Sequence, residues 1–141
     1  MRYRVVAVGR LRDAALRAAS DDYLGRLRRY ARVEEHEVKD EARVLGAVPE
    51  GARLVALSRT GEAWTSRELA VRTARWDHEA RDVAFAIGGA EVLPPDVLAR
   101  AERVWSLSTL TLPHELARLL VYEQLYRAFT IRRGEPYHRG P

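Results

Sequence analysis

An α/β fold, with a five-stranded, mostly parallel sheet and helices on both faces, is predicted by three features of this sequence. Short apolar runs of strand length alternate with longer segments whose apolar residues recur at helical spacing, which is the pattern of strands joined by crossover helices. One of these runs, Asp82-Val83-Ala84-Phe85-Ala86-Ile87, is apolar almost throughout instead of alternating, as a strand covered on both sides must be. Strands also end in turns of small residues, Gly88-Gly89 after one and Ser108-Thr109 after another, where a parallel sheet opens at the carboxyl ends of its strands.

The elements follow in order. Tyr3 to Val8 reads as the first strand, ended by Gly9, and Asp13 to about Tyr30 as an amphipathic helix with Leu16, Ala19, Tyr23, Leu24 and Leu27 on its apolar side. Val33 to Val38 carries three glutamates and belongs at an edge of the sheet. Asp40 to Pro49 gives a short helix and a turn. Arg53 to Leu57 is a buried strand that exits into Ser58-Arg59-Thr60-Gly61. Thr65 and Glu68 form a capping box for a helix reaching about His78, and Trp64 and Trp76 are expected to pack in the core or at its edge. The two glycines after Ile87 permit positive φ and let a ligand approach the backbone closely. Pro94-Pro95 opens a helix to about Arg103, and Val104 to Leu107 is the fifth strand. There the apolar phase slips at Ser108-Thr109, so the strand breaks into a loop before a helix from about His114 to Ile131. This last helix carries Leu116, Leu119, Leu120, Val121, Tyr122, Leu125, Tyr126 and Phe129, more apolar surface than one sheet can bury, and predicts a homodimer built on it.

Composition narrows the function classes. A chain of 141 residues is one domain by size. It has no cysteine, which excludes disulfides, thiolate zinc sites and cysteine nucleophiles. No apolar run approaches the roughly 18 residues needed to span a bilayer. The first residues lack the apolar core of a signal peptide, so a cytoplasmic protein is expected. His36 has no accompanying ligand set and reads as a surface residue, so no metal site is expected. The turn Gly9-Arg10-Leu11 lacks the glycines of a dinucleotide fingerprint or a P-loop, which disfavours a nucleotide-dependent oxidoreductase. Arginine supplies 23 of the 24 cations, and charge is uneven: residues 1–32 carry a net +6, residues 33–126 a net −5 and residues 127–141 a net +3. Guanidinium groups pair with phosphate through two parallel donors, and the cluster Arg26, Arg28, Arg29 and Arg32 favours an RNA-binding face.

The exits after Ile87 and after Leu107 are placed to line one small-molecule crevice. Ile87-Gly88-Gly89, Trp105-Ser106-Leu107-Ser108, Leu110-Thr111-Leu112-Pro113-His114, Tyr126-Arg127-Ala128 and the tail Pro136-Tyr137-His138-Arg139 together resemble the RlmH family of SPOUT-class methyltransferases. The likeness runs from Val5-Val6-Ala7-Val8-Gly9 to the tail, in family order. It implies S-adenosylmethionine-dependent methylation of N3 of a pseudouridine in large-subunit ribosomal RNA, carried out in the assembled ribosome, and a deep trefoil knot that no periodicity reveals. SPOUT relatives dimerise through the helix equivalent to the last one here.

The resemblance also implies roles for residues. Leu57, Gly88, Leu107, Ser108, Thr109, Leu110, Thr111 and Leu112 would form the cofactor pocket, through main-chain contacts to adenine and ribose and an apolar sandwich around the ring. Residues 132–141 would be a functional C-terminal tail of the single domain 1–141. Within it Tyr137 or His138 would contact the uracil edge and Arg139 the RNA backbone, in a dimer completing the partner's pocket. Three departures stand against the family pattern: Ser58 replaces an acidic residue, Ala90 and Val92 replace the ends of Pro-Glu-Gly, and the segment Asp40 to Pro49 is shorter than usual. They leave an alternative, a ribosome-associated RNA-binding module that keeps the fold without catalysing.

Overall fold

The computed structural model describes residues 1–141. Five strands, β1 (Tyr3–Val8), β2 (Val33–Val38), β3 (Arg53–Ala63), β4 (Val83–Ile87) and β5 (Arg103–Ser106), form one sheet in the order β2-β1-β4-β3-β5. Every pairing is parallel. The α-helices are α1 (Ala14–Leu27), α2 (Val44–Ala47), α3 (Ser66–Glu79), α4 (Pro95–Arg100) and α5 (His114–Arg132), and a single 3₁₀ turn, Glu41–Arg43, precedes α2. No helix is long and apolar enough to cross a membrane.

Side chains alternate across the sheet by size as well as direction. One face presents Tyr3, Val5, Val55, Phe85 and Trp105 to a core of 19 buried residues shared with α1, α3 and α5. The other presents Val6, Leu54, Ala56, Ala84 and Ala86 to a core of 11 that includes Val44 and Val97 from α2 and α4. Alanine on that side lets two short helices sit close to the strands. β4 lies between β1 and β3 and is buried along its whole length, as its uninterrupted apolar run requires.

β2 is the edge strand its glutamates predict, and its charges are matched on both faces. Glu34 pairs with Arg2 and Arg4 on one side, while Glu35 and Glu37 turn to Arg17 and Arg118 on the other. The capping box on α3 is formed, with Glu68 N donating to Thr65 Oγ1 at 3.0 Å and Thr65 N to Glu68 Oε2 at 3.2 Å. Trp64 stacks on Trp105 with ring centroids 5.2 Å apart and Trp76 is buried, so both are packing residues.

One sequence expectation changes. β3 does not end at Leu57: the ladder is interrupted and then resumes, so Trp105 is paired with both Leu57 and Glu62. Residues 58–61 therefore arch beside β5 instead of leaving the sheet. Gly61 makes the arch feasible, because a Cβ there would lie 2.5 Å from the Val104 carbonyl oxygen. Ser106 Oγ ties the arch down by donating to the Arg59 carbonyl at 3.1 Å.

Candidate active site

The carboxyl ends of β3, β4 and β5 converge on one cavity of about 470 Å³. That volume lies within the range of small-molecule sites, and so does its character: an apolar wall with a few polar groups. Leu57, Ser58, Arg59 and Thr60 line it from β3, and Ile87 through Leu93 from the β4 exit. Leu107, Ser108, Leu110, Thr111 and Leu112 line it from the β5 exit, and His114 and Ala117 from the first turn of α5. Seven of the eight residues expected to form a pocket thus share one hollow, Thr109 being the exception whose side chain is not part of the lining.

The loops that build the cavity are shaped by local contacts. Gly88 and Gly89 do not adopt positive φ, so close approach is the reason for glycine here: a Cβ on Gly88 would stand 2.8 Å from the Glu91 carbonyl. Ser108 Oγ accepts from Leu110 N at 3.0 Å, and the Ser106 hydroxyl lies between the Arg59 and Ser108 carbonyls, 3.0 Å from the latter, which curls the β5 exit under the cavity. Leu57, Ile87, Leu93, Leu98, Leu107 and Leu112 make its walls apolar, while Glu91 is the carboxylate among its lining residues. No grouping of His, Cys, Asp or Glu capable of holding a metal ion is present.

The residues expected from the tail lie elsewhere. Tyr137, His138 and Arg139 do not line the cavity; Tyr137 and His138 pack against the opposite end of α5, and Arg139 is exposed beyond them. Tyr137 meets Tyr126 edge to face at 4.7 Å, and its hydroxyl is 3.0 Å from that of Tyr23. Burial, reinforced by that hydrogen bond, raises the Tyr137 phenol well above its ordinary range. Tyr30 Oη donates to Glu135 at 2.5 Å, and this bond pushes the Tyr30 phenol up to about 12. Arg127 sits over the Tyr137 ring at 4.8 Å, and Arg133 over that of Tyr30 at 5.1 Å. From His114 to Arg127 a helix rises about 20 Å, so one chain holds cavity and tail apart.

Arg118 is the residue that sequence reading missed. It is 3% exposed, on the face of α5 that also buries Val121, Tyr122 and Leu125. Its guanidinium donates to the Gly9 carbonyl at 3.1 Å and pairs with Glu35 and Glu37, while Tyr122 Oη donates to Glu35. Burial pushes the Glu35 carboxyl up, but hydrogen bonds from Tyr122 and Arg17 and the Arg118 charge outweigh it and hold it below the ordinary carboxylate range. Helical spacing from Tyr122 was the available signal, since residues 118 and 122 share one face.

A family description, predicted SPOUT methyltransferase, matches residues 1–138 of this chain. The chain belongs to the SPOUT methyltransferase family. Relatives bearing the name ribosomal RNA large subunit methyltransferase H include one from Sorangium cellulosum, 51% identical with 97% of this chain and 99% of the relative aligned. Another, from Anaeromyxobacter dehalogenans strain 2CP-C, is 48% identical over 154 aligned residues, covering 99% of this chain and all of the relative. That alignment is longer than the 141 residues here, so this SPOUT chain lacks residues its relative carries. Among solved structures, a probable methylase family protein from Haemophilus influenzae Rd KW20 superposes with a TM-score of 0.62 at 14% identity, covering 98% of this chain and 70% of the other. A probable methyltransferase from Bordetella pertussis Tohama I gives 0.57 at 17% identity, covering 90% and 95%. These two likenesses concern the fold. Family membership makes this SPOUT chain a methyltransferase, whose reaction needs a methyl donor.

Proposed function

We propose that this chain uses S-adenosylmethionine to methylate N3 of a pseudouridine in large-subunit ribosomal RNA, in the assembled ribosome. The observation that carries this reading is the cavity formed where three strand exits meet, in a chain about half identical to named ribosomal RNA methyltransferases. The donor set fits such a cofactor. Leucines and Ile87 offer flat apolar contact to an adenine ring, the main chain of 107–112 offers hydrogen bonds to base and ribose, and the Glu91 carboxylate complements positive charge. Thr109 is retained as a main-chain contact.

Bound in this way, the cofactor supplies an electrophilic methyl group with its own leaving group. The protein supplies orientation and electrostatics. Holding the acceptor nitrogen in line is worth on the order of 7 to 11 kcal/mol when alignment is ideal. The acceptor must lose its proton as the new N–C bond forms. Tyr137 offers a face for stacking a displaced base, His138 a polar contact to the uracil edge, and Arg139 a cation for RNA phosphate. Arg28, Arg29 and Arg32, exposed and outside every ion pair, flank the tail at the end of α1 and extend that cationic face.

The tail reaches a cavity only in a dimer. Leu116, Leu119 and Leu120 remain partly exposed on α5, and Leu110 is 69% exposed beside the cavity, which supports pairing of two copies along this helix. Family membership likewise implies the trefoil knot.

Titration calorimetry with S-adenosylmethionine, followed by mass spectrometry of ribosomal RNA extracted from assembled ribosomes incubated with the protein and the cofactor, tests this reading. Cofactor binding and a methyl group on one large-subunit pseudouridine are expected. No binding heat and no methylation would instead identify a silent RNA-binding module.

A further inference from the structure

The tail holds a histidine whose ring tautomer follows from its neighbours. Arg127 Nε donates to Glu123 Oε1 at 2.7 Å, one helical turn back, and Arg127 also lies over the Tyr137 ring. Its terminal nitrogen is 3.0 Å from His138 Nδ1. A guanidinium has donors and no acceptor, so Nδ1 must present its lone pair. The ring proton is then on Nε2, and Nε2 donates to the main-chain oxygen of Pro141 at 3.0 Å. In this arrangement the only basic lone pair of the ring is already occupied. A group that takes a proton from substrate needs a free one.

We infer that Arg127, oriented by Glu123, is a positioning residue that holds His138 as an Nε2–H donor, and that His138 acts by donating to a carbonyl oxygen beside the reacting nitrogen instead of accepting its proton. This rests on the reading that the tail works at the target base. As the nitrogen of a uracil-type base loses its proton, negative charge spreads to the carbonyl oxygens on either side. A donor aimed at such an oxygen binds the developing anion more tightly than the neutral base, which lowers the barrier. The Pro141 oxygen marks where that carbonyl would sit. The N–H proton passes to water, the nitrogen's electron pair forms the N–C bond, and the electrons of the C–S bond leave with sulfur. The contact also selects substrate class, because it requires a ring nitrogen flanked by a carbonyl.

Glutamine in place of His138 keeps an N–H near the Nε2 position but cannot take up a proton. With assembled ribosomes and S-adenosylmethionine, His138→Gln is expected to stay within about ten-fold of the parent rate, and His138→Ala to lose about 100-fold or more. Equal losses in both variants would overturn the donor role. A second readout is independent of turnover: ¹⁵N imidazole spectra of the full chain should show His138 protonated at Nε2, with Arg127→Ala releasing that tautomer and Arg127→Lys retaining it in part. Protonation at Nδ1 in the parent would overturn the positioning role. Full activity in a chain lacking residues 135–141 would overturn the tail reading itself, so the two failures are distinct.

Discussion

The two ends of α5 solve opposite problems. At the amino end, His114 and Ala117 border an open hollow whose shape comes from backbone: strand exits, a glycine without room for a side chain, and serines that curl the loop. At the carboxyl end four tyrosines, three arginines (Arg26, Arg127 and Arg133) and a histidine fill the space between α1 and the tail, and every ring has a neighbour. A pocket for a cofactor with its own reactivity can be made of main chain. A surface that must grip a polyanion and orient a base needs side chains. The helix keeps these two kinds of surface on one rigid rod, and in the proposed dimer a second copy would bring one against the other.

Four experiments break or sharpen this contrast. Removing residues 135–141 should leave folding and cofactor binding intact while cutting methylation by about 100-fold or more, read by cofactor calorimetry and methyl incorporation side by side. Arg118→Ala removes the cation between Glu35 and Glu37 and should destabilise the fold by about 3 kcal/mol in urea unfolding, because it strands partly buried carboxylates. The same network gives the acid limb. Glu35 titrates below its unfolded value near 4.5, so its contribution is complete above that pH and is lost as pH falls through the folded value. Glu35→Gln should therefore flatten the loss of stability below about pH 4.5. Smallest is Tyr137→Phe, which removes the hydroxyl contact with Tyr23 and should cost about 1 kcal/mol of tail docking, seen as faster amide exchange at residues 135–139 with little change in melting temperature.

How much of this could be read beforehand depended on the range of the interactions. Local signals were legible: the capping box at Thr65, the charged edge strand and the uniformly buried β4. The cavity was legible as well, since strand exits carry their own turn chemistry. What escaped was long-range. Ser58 to Ala63 reads as a loop until β5, some forty residues on, supplies its partner. Arg118 looks misplaced in an apolar run until the glutamates of β2 are seen beneath it. The tail residues could be named from resemblance, but their docking against Tyr23, Tyr126 and Arg127 depends on which helices the fold places side by side.

The borders of the sheet carry a last consequence. One lateral strand is studded with glutamates already neutralised by arginines, and the other is only four residues long. Neither offers the long, flat, apolar ribbon on which strands from other molecules stack into fibres. Concentrated solutions of this protein are thereby protected from growth by strand addition.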